Sequence, residues 1–374
     1  MKLILLNQPF AEYLSVILFV AGFGCVLFFL GHTFFRFRRG ITENNDYPTK
    51  VPVTLIIPVL NEENELSGMV DRIFQLDDPS FEVILVDEGS EDDSPEMMKS
   101  LTEKYPRMKF SFVSPEVWFR DKMALNLGLK AATYDRIVIL SSSTQFADSS
   151  WLTAVRRCLP DEDAVLVNYV NVSDRRSFFH ELYRSEQMMN FVRSAVFSDS
   201  KAPFFSTQNN VCFLKKHYFG GKGFRGLMDH SYAAMELVWN REKFSSVHFS
   251  LDPSTFAREN RQLGWSDYVE LLCKKILLEK RFPLKQRFRF YYQQPGIVLL
   301  IAGTAGWIFC SLTIWPYLGG ALFMLLIIYL LLLKKITNYL HERKIVLTSL
   351  IHTIIRPLFA GYCRVILVFR SHRK

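Results

Sequence analysis

Three serines, Ser141, Ser142 and Ser143, stand at the end of the apolar run Arg136-Ile-Val-Ile-Leu140. A hydroxyl is a neutral, weak ligand for a hard divalent cation, which prefers carboxylate oxygens. Carboxylates gather instead after two other apolar runs. Pro58-Val-Leu-Asn61-Glu62-Glu63 follows Val53-Thr-Leu-Ile-Ile57, and Asp87-Glu88-Gly89-Ser90 follows Phe81-Glu-Val-Ile-Leu-Val86. A carboxylate at such a position accepts hydrogen bonds from hydroxyls or ring N–H groups. The alternative reading is structural: Asn61 and Asp87 cap the helices that follow them.

The elements that must position these residues alternate. Strand-length apolar runs at 53–57, 81–86, 109–113, 136–140 and 164–170 are separated by helix-like stretches at 64–76, 94–105, 122–132 and 151–159. That βαβα order predicts an α/β domain, with a mainly parallel sheet and helices on both faces. Ligands on such sheets bind at the carboxyl ends of the strands, where the polar residues above all fall. Lys122 opens one helix on that side, where backbone N–H groups favour an anion such as a diphosphate. A solvated surface lysine is the plainer reading. Asn126 lies one turn on along the same face, and an Asn inside a helix is locally disfavoured, which points to a specific hydrogen bond. No phosphate-cradling G-x-x-x-x-G-K-[ST] loop is present and no G-x-G-x-x-G follows the first strand. Nucleoside triphosphatases and nicotinamide dehydrogenases are therefore disfavoured.

Outside residues 50–290 the chain turns apolar. Residues 12–35 have the length of one crossing, about 20 residues, and Arg36, Arg38 and Arg39 follow them. Residues 296–333 are too long for one helix and break at Pro316 and at Gly319-Gly320, which predicts a transmembrane hairpin with a turn near Trp315-Pro316-Tyr317. Lys285, Arg287 and Arg289 precede the hairpin; Lys334 and Lys335 follow it. Cations on these flanks put the middle domain on the cytoplasmic side of a plasma (inner) membrane, with the chain crossing more than once. Residues 345–370 are apolar but carry His352, Arg356 and Arg364. Charge deep in lipid is costly, so this tail reads as an interfacial amphipathic helix, with a fourth crossing as the alternative. The net charge of +8 sits beside these apolar runs, not in a basic tail, so nucleic acid is not an expected partner and membrane lipids are. The six cysteines form no C-x-x-C pair and read as reduced thiols.

Four blocks, in order, carry a resemblance. Val53 to Glu65 reads VTLIIPVLNEENE; Leu85 to Ser90 reads LVDEGS; Lys122 to Gly128 reads KMALNLG; Asn209 to Gly221 reads NNVCFLKKHYFGG. Together they resemble family 2 glycosyltransferases, membrane-anchored enzymes whose nucleotide-sugar domain has the Rossmann-like GT-A fold. The resemblance implies that Pro58, Asn61, Glu62, Asp87 and Glu88 hold the base and ribose. The family's D-x-D metal pair falls on Ser141 and Ser143. Mg or Mn is the family's expected ion, yet both acids are replaced, so no metal ligand is assigned and the two serines are expected only to touch substrate. Asp87, Glu88 and Asp148 are nearby carboxylates, but no spacing demands a rescue. The family's E-D motif falls on Met228-Asp229, which makes Asp229 the expected base for an acceptor hydroxyl, with His230 as runner-up. The competing reading makes Asp229 the N-cap of a helix over 231–239. A Q-x-x-R-W-like element falls on Gln286 to Phe290, with Lys274-Lys275 as the alternative basic segment.

The expected function is inverting transfer of a sugar from a nucleotide-sugar donor to a lipid-linked or polysaccharide acceptor, without a divalent metal. The alternative is a catalytically silent relative acting as a binding or scaffold subunit in envelope polysaccharide assembly.

Overall fold

The computed structural model describes residues 2–42, 51–146, 148–158, 164–197, 203–230, 232–241, 246–291, 293–310 and 315–371. They form two compact units. One comprises residues 1–39 and 282–339, the other residues 40–281 and 340–374.

The larger unit holds the expected alternation. The strands β1 (Val53–Val59), β2 (Phe81–Asp87), β3 (Met108–Phe112) and β4 (Arg136–Ile139) pair in parallel, in the order β3-β2-β1-β4. β1 and β2 are near-continuous apolar runs because helices cover both faces of such a sheet. The sheet extends past β4 through β8 (Val211–Leu214), β6 (Ala164–Val167) and β9 (Ser246–Phe249), with β8 antiparallel to both its neighbours. A second, three-stranded sheet joins β5 (Thr144–Phe146), β10 (Ala257–Glu259) and β7 (Val170–Val172).

Helices α2 (Glu63–Phe74), α3 (Ser94–Lys104), α4 (Arg120–Ala131) and α5 (Trp151–Arg157) sit where the alternation predicts them. α2 buries Leu66, Met69, Val70 and Ile73, an i, i+3, i+4, i+7 stripe. α4 approaches β1 closely at Gly128, where an added Cβ would stand 2.7 Å from Ile56 Cγ2. Two expectations change. The run 164–170 is not one strand: β6 ends at Val167, and Val170 opens β7 in the other sheet. The helix expected over 231–239 is α8, Met235–Arg241, so it begins too late for Asp229 to cap it.

Behind the sheet, α6 (Phe178–Phe197), α9 (Trp265–Glu279) and α13 (Val346–Ser371) pack on one another. Their contact holds buried charge. Glu186 on α6 accepts from Lys275 Nζ at 2.9 Å and from Arg356 Nε at 2.9 Å. Burial alone would raise the Glu186 carboxyl, but the charges of Arg356 and Lys275 hold it well below the usual range. α13 turns Ser349, His352, Arg356 and Cys363 inward and Leu347, Ile354, Leu358 and Val365 outward.

In the smaller unit, α1 (Lys2–Thr42) and α11 (Gln293–Cys310) lie backbone to backbone: a Cβ on Gly303 would collide with the Phe19 main chain, and one on Gly22 with that of Leu300. Small residues permit such approach between apolar helices. α12 (Trp315–Tyr339) follows; the join over 311–314 expected between the crossings lies outside the described residues. Among the described residues, three stretches are long and apolar enough to cross a membrane: Ala11–Phe37, Gly319–Tyr339 and Val346–Phe369.

Candidate functional site

At the carboxyl ends of β1, β2 and β4 opens a cleft of about 400 Å³. Pro58, Glu88, Asp121, Ser141, Asn209, Glu259, Arg261, Asp267 and Lys274 are among the residues that line it. Among the described residues that line it, Arg261 and Lys274 carry the positive charge. Lys274 is also paired with the fully buried Glu236 on α8.

The serine segment is held from behind by Asn209. The Asn209 Oδ1 accepts from the Ser141 N–H at 3.2 Å and from Thr144 Oγ1 at 3.1 Å. Its Nδ2 donates to Glu259 Oε1 at 2.8 Å. One side chain thus joins the end of β4 to β10. Ser141 lines the cleft, but Ser143 is only 2% exposed, and their hydroxyl oxygens lie 3.1 Å apart, hydrogen-bonded to each other. Two neutral hydroxyls engaged with each other do not suit Mg or Mn. Among the described residues, no three His, Cys, Asp or Glu side chains converge to hold a metal ion. The residues present therefore do not fit the family's ion.

The other expected site residues divide. Pro58 and Glu88 line the cleft. Burial, then the charges of Asp121 and Asp87, push the Glu88 carboxyl up to about 7. Glu62 is hydrogen-bonded to Ser142, and burial raises its carboxyl. Asn61 organises the loops and is no helix cap. At φ 54° it occupies the left-handed region, its N–H donates to Ser90 Oγ at 2.9 Å, and its Oδ1 accepts from the Glu91 N–H at 2.8 Å. Asp87 likewise folds its own turn, accepting from the Gly89 and Ser90 N–H groups at 3.0 and 3.1 Å. Such local bonds are what Asn and Asp favour at turns.

Lys122 does not face the cleft. It is fully buried on α4, with Nζ 3.6 Å from Asp121 Oδ2 and 5.3 Å from the Phe119 ring centroid. The helix begins at Arg120, so Asp121 takes the cleft-facing position and Lys122 turns inward. Asn126 accepts from Tyr218 Oη at 3.2 Å and lines a separate cleft with Met228. Asp229 is exposed in a turn and is not among the residues lining the main cleft. His230 beside it meets Arg281.

Sequence reasoning missed Arg261, Glu259 and Glu236. The first two arrive on β10 and the segment after it, too short and irregular to give a periodic signal. Asn209 lay within a quoted block but without an assigned role.

Residues 54–225 match the model of the Glycosyl transferase family 2 domain. A poly-beta-1,6-N-acetyl-D-glucosamine synthase from Staphylococcus epidermidis is 24% identical over 114 residues, which are 30% of this chain and 27% of that protein. A Staphylococcus aureus synthase of the same name is 24% identical over 139 residues, 36% of this chain and 33% of its own length. The chain thus matches about a third or less of these relatives. Among solved structures, a mannosyltransferase from Pyrobaculum calidifontis, in complex with GDP-Man and Mn2+, superposes with a TM-score of 0.53 at 17% identity, over 92% of this chain and 99% of that one. Strand order and sequence blocks agree: residues 54–225 match the glycosyl transferase family 2 domain, and the fold is GT-A.

Proposed function

We propose that the protein is a membrane-bound inverting glycosyltransferase, moving a sugar from a nucleoside-diphosphate donor to a lipid-linked or polysaccharide acceptor without a divalent metal. The observation that carries this reading is the cleft at the strand ends, lined by Arg261 and Lys274 as well as by Glu88 and Ser141. The two cations offset the charge of a diphosphate; the carboxylates accept from its hydroxyls and base. Transfer with inversion needs one base to take the acceptor proton. Asp229 holds the family position but stands exposed in its turn; Glu88 stands on the cleft wall with a carboxyl near neutrality, the condition a general base needs. The apolar helices anchor the domain at the cytoplasmic face of a plasma membrane, and α13 lies in the interface.

The test is release of nucleoside diphosphate from UDP- and GDP-sugars, with and without manganese. Metal-independent turnover supports the enzyme; its loss in Asp229→Asn or in Glu88→Gln identifies the base. A second reading is favoured by the mutually bonded serines and the exposed Asp229: a catalytically silent relative that binds the donor within a polysaccharide assembly system. Binding with no turnover supports that reading. Absence of binding defeats both.

A further inference from the structure

α4 borders a second cleft, of about 390 Å³, that shares no lining residue with the first. Asp121 and Leu125 of the helix line the main cleft; Met123, Asn126 and Lys130 line the second. Its other residues run from Tyr218, in α7 (Lys215–Gly220), to Met228. Tyr218 is buried, with ring centroids 5.1 Å from Phe219 and 5.3 Å from Phe224; Phe219 is 42% exposed.

The polar groups of this cleft are donors. Lys130, Lys222 and Arg225 line it and are exposed, and no Asp or Glu is among the described residues that line it. Among the described residues, none of these three cations is held in an ion pair. Asn126 Oδ1 is taken by Tyr218 Oη at 3.2 Å, which leaves the amide NH2 to serve a ligand. The loop that carries Lys222 and Arg225 has its carbonyls in use from Gly221 to Arg225. Arg241 donates to those of Gly221, Gly223 and Arg225. The Arg225 and Leu227 N–H groups serve those of Lys222 and Phe224 at 3.1 and 2.8 Å. The loop is also fixed in shape. Lys222 at φ 70° stands in the left-handed region, which few residues with a side chain adopt. Gly223 follows at φ 52°, where a Cβ would lie 2.7 Å from the Tyr218 ring.

A cation would meet three like charges here, and a neutral donor would find the loop carbonyls already bonded. An anion meets donors throughout. Three cations exceed the single charge of a carboxylate and suit a phosphate monoester, which carries about −1.5 to −2 at neutral pH. The guanidinium of Arg225 matches phosphate oxygens two at a time. We propose that this cleft binds a phosphate monoester, with Lys130, Lys222 and Arg225 on the phosphate and Phe219 against the group that carries it. That chemistry has two sources: a small soluble organic phosphate, or the headgroup of a phosphatidic acid. The site is independent of how the main cleft is read.

The test uses the full chain in nonionic detergent at an ionic strength of about 0.15 M, where separated surface charges are screened beyond about 8 Å. Calorimetry measures phenyl phosphate, benzoate and dihexanoylphosphatidic acid on wild type, on the double variant Lys222→Gln with Arg225→Gln, and on Arg261→Gln, which alters the main cleft. Both positions of the double variant are exposed, and thermal unfolding confirms that it folds. The double variant should bind the phosphate ligand at least about tenfold more weakly, the scale of one charge-assisted hydrogen bond. Arg261→Gln should stay within about twofold of wild type, and benzoate should bind wild type at least about tenfold more weakly than phenyl phosphate does. Phenyl phosphate binding as well as the lipid identifies the soluble source; binding of the lipid alone identifies the headgroup. The proposal is overturned if wild type binds neither phosphate, if benzoate binds as tightly as phenyl phosphate, or if the loss appears in Arg261→Gln and not in the double variant.

Discussion

Ser141 Oγ lies 3.1 Å from Ser143 Oγ, so one hydroxyl donates to the other where the sequence resemblance puts the family's metal-binding acid pair. The two positions are not equivalent. Ser141 borders the cleft, whereas Ser143 is 2% exposed. Ser141→Asp should therefore change stability by less than about 1 kcal/mol, and Ser143→Asp should cost about 2–4 kcal/mol by burying an unpaired carboxylate. With both acids in place, manganese at about 100 times its Kd should restore about 2.7 kcal/mol. Thermal unfolding with and without manganese checks this. A double variant indifferent to manganese would show that the metal position of the fold lies elsewhere.

Asn209 makes three hydrogen bonds, two of them buried, that join the serine segment to β10. Asn209→Ala leaves the Ser141 N–H, Thr144 Oγ1 and Glu259 Oε1 without that partner. The expected loss is about 2–4 kcal/mol, measured by denaturant unfolding, with weaker nucleotide binding because Ser141 and Glu259 then drift apart. Full nucleotide affinity in that variant would mean the bridge is structural only.

Much of this architecture was legible. Strand-length apolar runs located β1 to β4 and the helix-like stretches between them α2 to α5, because a parallel strand covered on both faces reads as a continuous apolar run. The site was less so. Asn61, Asp87 and Lys122 are the residue types expected at a ligand, yet Asn61 bonds to the loop after β2, Asp87 to its own turn, and Lys122 faces inward. A local pattern cannot distinguish a carboxylate that folds its turn from one that awaits a ligand. Glu259 ends, and Arg261 closely follows, a strand of three residues whose partners, β5 and β7, are over 80 positions away in sequence. Contacts of that range leave no periodic trace.

Glu88 makes stability depend on pH. Its carboxyl, ordinarily near 4.5, is raised to about 7 by burial and by Asp121 and Asp87. Between those values the folded protein keeps a proton that the unfolded chain releases. The contribution is present below about 4.5 and is lost as pH rises through about 7. The slope reaches at most about 1.4 kcal/mol per pH unit. Glu62 and Glu342 are raised too and tilt the curve the same way. Unfolding of wild type and Glu88→Gln across this range should show a shallower decline in the variant. Parallel curves would remove the group from the account.

α13 poses a question that length cannot answer, since Val346–Phe369 is long enough to span a bilayer. Its polar face, however, is consumed inside its own unit. Ser349 Oγ lies 3.0 Å from Ser185 Oγ, and Arg356 donates to Glu186. Leu347, Ile354, Leu358 and Val365 face away from these partners and are 55–75% exposed. A helix that keeps His352 and Arg356 against protein, leaves Arg364 exposed and offers an apolar stripe outward is suited to lie along the interface, about 5–10 Å into the headgroup boundary. Nitroxide labels at positions 347, 354, 358 and 365, in liposome-reconstituted protein, should then report one shallow depth. A crossing helix predicts something different, because those positions span about 27 Å of helix axis, nearly the full hydrocarbon core of about 30 Å. A graded series of depths would make α13 a membrane span. It would also place the Glu186–Arg356 pair at membrane depth, where the cost of an unpaired charge would be far greater than in water.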